Sequence, residues 1–515
     1  MLIRNPCHHI FGLVLLLFSS VIVDRIGTAD DRPNIILIMC DDMGYSDIGC
    51  YGGEIHTPNL DRLASQGMRF RQFYNNAKCT TTRASLVTGL FPRRSGGLLT
   101  DKMVTLGEVL GGAGYQTSLS GKWHLGSGKT THPYHRGFQS FYGLLDGCCN
   151  FFDPSIRDPK YKGGRIRLFG ENDKKITEFP NDFYTTDAFT DHAIGCIKKA
   201  AESDKPFFAH ICYTAPHYPL HAKPEDIKKY VGKYLGGWER LRQDRFARMK
   251  KIGILDDRYK LTETDPKSYD WESSNKEWED QRMAVYAAMI DSMDQNIGRI
   301  LSTLKDTGKD KNTLVLFLSD NGGCSEEPGG RAAKGKKPKL IPGPKEYYTA
   351  VGPAWGWAQN APFKRYKSWC FEGGIRTPFI AWWPGKIEAN TFTDQVGHII
   401  DLMPTLLDFA GTKYPATFQG KEIIPAEGVS FKTTLLDQAT FSRPPLAWEW
   451  SGTRAVRIRN DKLVWNKPQK KWELYDLSKD PAEGVDLSDS NPDKAKAMSE
   501  FWFKWAEKTG IKRKK

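Results

Sequence analysis

The chain has 515 residues, of which 39% are apolar and 26% charged, enough for roughly two to four domains with a sizeable core. No low-complexity tract interrupts it, which excludes a disordered, collagenous, coiled-coil or multi-span membrane protein. The formal charge of +13 points to an anionic partner such as nucleic acid, an anionic membrane or a sulfated glycan, and no helix-turn-helix, RNP or zinc-finger pattern favours nucleic acid.

Arg4 and two histidines precede an apolar run from Ile10 to Val23, and Gly27-Thr28-Ala29 offers small residues for cleavage. This predicts a secretory signal peptide over 1–29 and export to a periplasmic or extracellular space. At about fourteen residues the run is too short to span a bilayer. Next, Asn34–Cys40 (NIILIMC) is short, unbroken and β-branched, the pattern of a buried parallel strand, and it ends in Asp41-Asp42. Thr57-Pro58 to Ala64, stopped by Gly67, reads as a helix with an N-cap and a first-turn proline. A second apolar run, Pro206–Tyr213, leads into Ala215-Pro216-His217. Met283, Ala287, Ile290, Met293, Ile297, Ile300 and Leu304 recur at helical spacing, an amphipathic helix of about six turns. Thr313–Ser319 (TLVLFLS) repeats the first strand and ends in Asp320-Asn321. Residues 322–366 read as a long Gly/Pro-rich loop whose stretch from Arg331 to Lys345 holds six bases and no acid; a loop of that length leaving a site is as often functional as it is a solvated excursion. From about Gly411 come shorter strands (Ala455–Ile458, Leu463–Asn466, Trp472–Tyr475) and a last helix, Pro492–Lys508.

Strands alternating with helices predict an α/β fold with a large, mainly parallel sheet over 30–410, and the later pattern predicts a smaller α+β domain over 411–515. In such sheets, sites form beyond the carboxyl ends of the strands, where both acidic pairs fall. Each pair alone is most simply a helix cap or turn. Together, three carboxylates and an amide oxygen make a hard oxygen cage suited to calcium or magnesium rather than zinc. Cys79-Thr80-Thr81-Thr82-Arg83 runs into ASLVTG; the threonines can start a helix and Gly89 can end it, placing residue 79 at an anion-attracting N-terminus. A tyrosine phosphatase would need five residues between cysteine and arginine, and here there are three.

The string CTTTRASLVTG resembles the motif of the type I sulfatases, in which the cysteine is oxidised to Cα-formylglycine. DDMGYSDIGCYGG, TPNLDRLASQGMRF, GKWHLG, PHYPLH, LFLSDNGG, PFKRYKSWCFEGGIRTP and LYDLSKDPAE resemble further blocks of that family in the expected order. The resemblance implies an alkaline phosphatase-like fold and hydrolysis of aryl or, by the basic charge, carbohydrate sulfate monoesters. It implies that Asp41, Asp42, Asp320, Asn321 and the modified Cys79 hold one divalent cation, calcium or alternatively magnesium. It casts Arg83 beside the formylglycine, and Lys122, His124, His217 and Lys367 as the sulfate-binding and proton-transfer groups. It further implies a formylglycine-generating enzyme as maturation partner. The motif departs from the family at Thr81, where proline or alanine is usual.

A transition state that builds charge on the departing oxygen is served by a cation, an arginine and two lysines, and a histidine suits the proton transfers. The other readings are a phosphate or phosphonate monoester hydrolase of the same superfamily, and a non-catalytic binder of sulfated glycans if Cys79 stays unconverted. Trp355, Trp357 and Trp369 flank Lys367 and suit either stacking on a sugar or core packing. His132, His135 and His221 match no block. Nine cysteines follow the signal peptide, scattered and without a CxxC pair; converting Cys79 leaves an even number free for disulfides.

Overall fold

The computed structural model describes residues 1–2, 32–92, 94, 96–332 and 334–511. The signal peptide expected over 1–29 lies outside the described residues apart from its first two. Eleven strands form the main sheet: β1 (Asn34–Cys40), β2 (Met68–Tyr74), β3 (Gln116–Gly121), β4 (Ser140–Leu144), β5 (Phe169–Glu171), β6 (Lys174–Ile176), β7 (Phe207–Cys212), β8 (Thr313–Ser319), β9 (Arg376–Trp382), β10 (Thr391–Thr393) and β11 (Gly397–His398). Their order is β10-β2-β9-β8-β1-β7-β3-β4-β5-β6, with β11 also on β2. The run β8-β1-β7-β3-β4 is wholly parallel, whereas β9 is antiparallel to both its neighbours and β5 to β4. The mixed α/β sheet expected from the sequence is therefore present, and its centre is parallel.

The unbroken apolar strands follow from burial on both faces. Ile36, Ile38 and Cys40 of β1 point into one core, with residues of the Pro58–Ser65, Thr185–Ala201, Gly237–Lys251 and Lys276–Asp306 helices. Ile35, Leu37 and Met39 point into the other, against the Cys79–Thr88, Leu106–Gly112 and Leu402–Phe409 helices. Each such buried side chain contributes about 1.5–3 kcal/mol relative to exposure. The helix expected from Met283 to Leu304 extends over Lys276–Asp306, started by the Asn275 side chain, which accepts from Trp278 N.

Four strands, Leu446–Trp450, Thr453–Ile458, Asp461–Asn466 and Lys471–Asp476, form a second, antiparallel sheet. Its alternation decides its packing: Trp448, Ala455, Val464 and Tyr475 join the second core of the main sheet, and Ala447, Val456, Leu463 and Leu474 pack under the last helix, Pro492–Lys508.

One expectation is revised, and the alternatives left open for two tryptophans and for the cysteines are decided. The segment 322–366 contains a helix, Gly352–Ala358, and Trp355 and Trp357 on it are buried. Trp355 packs edge-on against Trp238 and donates to Glu279, and the Arg242 guanidinium stacks on Trp357, so neither faces a substrate. Among the described residues all nine cysteines are free thiols.

Candidate active site

Four neighbouring parallel strands deliver seven of the ten predicted residues to one edge. Asp41 and Asp42 follow β1, Asp320 and Asn321 follow β8, Lys122 and His124 follow β3, and His217 follows β7. The ladder continues past the strand ends: Asp320 N donates to Cys40 O (3.1 Å), Asp41 N to Ala215 O (3.0 Å) and Lys122 N to Cys212 O (2.7 Å). Gly121 allows the last of these, because its φ is +116° and a Cβ there would lie 2.0 Å from Cys212 O. Asp42 sits in the left-handed region (φ 67°), which aspartate tolerates better than most residues, and its N–H donates to Asp320 Oδ1 (3.2 Å).

Cys79 opens the Cys79–Thr88 helix and is buried, and Gly89 closes that helix in a left-handed cap. Arg83, one turn on, donates through Nε and Nη2 to Asp320 Oδ2 (3.1 and 2.8 Å) and through Nη1 to Lys122 O (2.8 Å). Lys122 Nζ donates to Asp41 Oδ2 (2.5 Å) and Lys367 Nζ to Asp42 Oδ2 (2.7 Å). Asn321 Nδ2 donates to Asp42 Oδ1 (2.6 Å). His217 Nε2 lies 3.4 Å from Asp42 Oδ2, and its Nδ1 meets Tyr218 O at 2.6 Å, which fixes the proton on Nδ1.

The charges are tightly balanced. Burial raises Asp41 well above the usual carboxylate range, and the adjacent Asp320 adds to this. Burial acts the same way on Asp42, yet the Lys367 ammonium and His217 outweigh it and hold that carboxyl low. Burial depresses His124 and His217 well below ordinary imidazoles; Lys122 adds to the effect at His124, and Asp42 opposes it at His217.

On the predicted site residues, three buried atoms stand without a hydrogen-bond partner: Asp41 Oδ1, Asn321 Oδ1 and His124 Nδ1. Asp41, Cys79 and Asp320 offer ligand atoms within 4.8 Å of one another, as do Asp41, Asp42 and His217. Orphaned oxygens inside a carboxylate cage are what a hard divalent cation would satisfy, so the donor set fits one. The structure thus brings together every residue expected at the site.

Three neighbours had no signal in the sequence: Lys78, Tyr218 and Glu326. Lys78 Nζ donates to Glu326 Oε1 (2.9 Å) and Tyr218 OH to Glu326 Oε2. Their meeting depends on how the segment after Asn321 folds back, which local periodicity does not report. His221 is structural: its Nδ1 accepts from Phe151 N (3.3 Å) and its Nε2 donates to Tyr347 O (2.8 Å). His132 and His135 pack against each other in and beside the short 3-10 turn Pro133–Arg136.

Comparison with known proteins agrees with this geometry. The family model described as "Sulfatase" matches residues 33–412, and one described as "N-sulphoglucosamine sulphohydrolase, C-terminal" matches residues 363–507. An uncharacterised sulfatase of Schizosaccharomyces pombe is 32% identical, covering 93% of this chain and 94% of its own. An arylsulfatase of Klebsiella aerogenes is 35% identical over 78% of this chain and 91% of its own. The crystal structure of Ps i-CgsB in complex with k-i-k-neocarrahexaose superposes with a TM-score of 0.68 at 27% identity, covering 93% of this chain and 94% of that one. Ordered motifs, a mixed sheet of the alkaline phosphatase-like kind and a family match spanning most of the chain converge: this protein belongs to the sulfatase family and is a sulfuric ester hydrolase.

Proposed function

We propose that the protein is exported and removes sulfate from carbohydrate sulfate monoesters, with Cys79 converted to formylglycine and one divalent cation, calcium, held by Asp41, Asp42, Asp320, Asn321 and residue 79. The observation that carries this reading is the pair of orphaned oxygens, Asp41 Oδ1 and Asn321 Oδ1, in a cage beside Cys79. The carbohydrate preference is supported by the basic charge of the chain and by the oligosaccharide bound to the solved relative.

When bound, the cation would neutralise the carboxylates and act as a Lewis acid toward the sulfate oxygens, and formylglycine would provide the hydroxyl nucleophile. The side chains do the rest. Arg83, gripped by Asp320, keeps a fixed positive charge at the nucleophile. Lys122 and Lys367 are each anchored by one aspartate, Asp41 and Asp42, so their remaining N–H bonds are free for sulfate oxygens where charge develops. His124, with an unpartnered Nδ1, is a further group for the sulfate. His217 has its Nδ1 proton committed to a carbonyl, so Nε2 is the nitrogen that exchanges a proton with the leaving oxygen.

Trypsin cuts after Lys78 and Arg83, releasing CTTTR. The mass of that peptide from active protein is expected to show an aldehyde in place of the thiol. Turnover of 4-nitrophenyl sulfate is expected to disappear with EDTA, return with Ca²⁺, and exceed that of 4-nitrophenyl phosphate. An unmodified cysteine together with sulfate release, or a clear preference for the phosphate, would overturn the proposal.

A further inference from the structure

A second cluster adjoins the sulfate-binding groups and has no part in the chemistry above. Glu326 lies on the segment that leaves β8, with its side chain 36% exposed. Its Oε1 accepts from Lys78 Nζ at 2.9 Å and lies 3.8 Å from Lys367 Nζ. Its Oε2 accepts from the Tyr218 hydroxyl and lies 3.9 Å from Lys162 Nζ. Lys162 in turn donates to Tyr218 OH (2.9 Å) and sits over that ring, 4.7 Å from its centroid. The Tyr218 ring lies 4.2 Å from the ring of His217. The cluster is therefore built against Lys367, a sulfate-binding group, and against His217, the group assigned to the leaving oxygen. Lys78 and Lys162 keep about a fifth of their side chains exposed, so the cluster opens outward.

A negative group this close to a sulfate site weakens anion binding, so its presence needs a compensating use. Burial raises the Glu326 carboxyl, yet the Lys367 and Lys78 ammonium groups and the Tyr218 hydroxyl outweigh it and hold it below the usual carboxylate range, which leaves each of its oxygens with acceptor capacity beyond the bonds already made. An ionised carboxylate beside two partly exposed ammonium groups offers an acceptor and donors within one patch. A sugar hydroxyl needs both at once, because it donates one hydrogen bond and accepts others. A second sulfate or a carboxylate on the substrate would instead face Glu326 as a like charge, and a bare aryl ring would use neither half of the patch.

We infer that Glu326, with Lys78 and Lys162, forms a leaving-group subsite that binds a free hydroxyl next to the sulfate ester, and so selects carbohydrate over aryl sulfates. This rests on the sulfatase reading given above and adds the substrate feature that the site recognises. A patch that hydrogen-bonds a hydroxyl discriminates against a ligand that lacks it, because that ligand displaces water from the acceptor and donors and returns no hydrogen bond.

The test compares the wild type with Glu326→Gln and Lys162→Met. Sulfate release is measured from D-galactose 2-, 4- and 6-sulfates and from 4-nitrophenyl sulfate. Glu326→Gln keeps the side-chain shape and loses the charge. For the best sugar sulfate, the kcat/KM ratio to 4-nitrophenyl sulfate is expected to fall at least about 10-fold in Glu326→Gln, the scale of a lost charge-assisted hydrogen bond, mainly through KM. Lys162→Met is expected to move the ratio the same way. An unchanged ratio, with both substrates losing equally, means that Glu326 only positions Lys367 and overturns the inference; so does a wild type that turns over the aryl sulfate and none of the sugars. Failure of the sulfatase reading shows separately, as a wild type inert toward every sulfate. In that case a binding titration of the same sugar sulfates on wild type and Glu326→Gln still decides the subsite: equal affinities overturn it.

Discussion

Thr81 stands where the sulfatase motif usually carries proline or alanine, and its surroundings account for a hydroxyl there. It is buried, and its Oγ1 donates to Asn76 O (3.0 Å) and Lys78 O (2.9 Å). These carbonyls belong to the turn through Ala77, whose φ is +61°, so the hydroxyl pins a strained approach to the nucleophile's helix. Thr82 completes the brace by accepting from Asn76 N (2.9 Å). Thr81→Ala restores a usual residue of the motif and removes the hydroxyl. Denaturant unfolding is expected to show a loss of about 1 kcal/mol, while the CTTTR-equivalent peptide still carries the aldehyde. A variant that keeps full stability would mean that the turn holds itself without the hydroxyl.

Elements were legible in the sequence where one physical pattern dominated. The strands Asn34–Cys40 and Thr313–Ser319 fall on their expected bounds because two-sided burial demands an unbroken apolar run and the Asp that follows cannot continue it. The helix Pro492–Lys508 does so because a proline at its first turn sets its start. Arg69 and Arg71 interrupt β2, so no apolar run marked it, and the Glu326 cluster was invisible because loop folding, not spacing, assembles it. One helix–sheet contact yields a pH prediction. His192 on Thr185–Ala201 bridges Ser120 Oγ of β3 (2.7 Å to Nδ1) and Ser140 Oγ of β4 (3.0 Å to Nε2), and burial pushes its pKa down to about 4. In the unfolded chain a histidine titrates near 6.5. Between those values the unfolded state binds more protons, so the stability that neutral His192 contributes is whole above about pH 6.5 and drains away as pH falls toward 4. The stability gap between wild type and His192→Gln is therefore expected to narrow by on the order of 1 kcal/mol from pH 7 to pH 5. A gap that stays constant, measured by urea unfolding at both pH values, would contradict a neutral buried ring.

At the scale of the molecule, the second sheet is locked to the first. Lys462, fully buried, pairs with Glu372 (2.7 Å) and Glu483 (2.8 Å), and Glu372 also accepts from Tyr74 of β2 (2.9 Å). With that frame fixed, the charge on its surface acts as a fixed field. Arg331, Lys334, Lys336, Lys337, Lys339 and Lys345 are all exposed. The neighbouring segment presents exposed Arg157, Lys160 and Arg165, and it is tied to the same region by the Tyr161 hydroxyl, which donates to Tyr348 O (3.2 Å). That segment also carries Lys162 to the mouth of the site. Exposed bases on two linked segments, one of which reaches the site through Lys162, form an approach for a polyanion rather than for a single charge. Such steering weakens as salt shortens the Debye length from about 10 Å at 0.1 M to about 3 Å at 1 M, whereas the contacts inside the buried site are screened far less. Raising NaCl from 0.05 to 0.5 M is therefore expected to lower kcat/KM for a polysulfated oligosaccharide at least about 10-fold, and for 4-nitrophenyl sulfate by no more than about 3-fold. Replacing Lys334, Lys336, Lys337 and Lys339 together by glutamine should flatten the first dependence and leave the second as it was. Parallel salt curves for the two substrates would show that the basic segments are ordinary solvated surface, and that selection among anions is made entirely within the buried site.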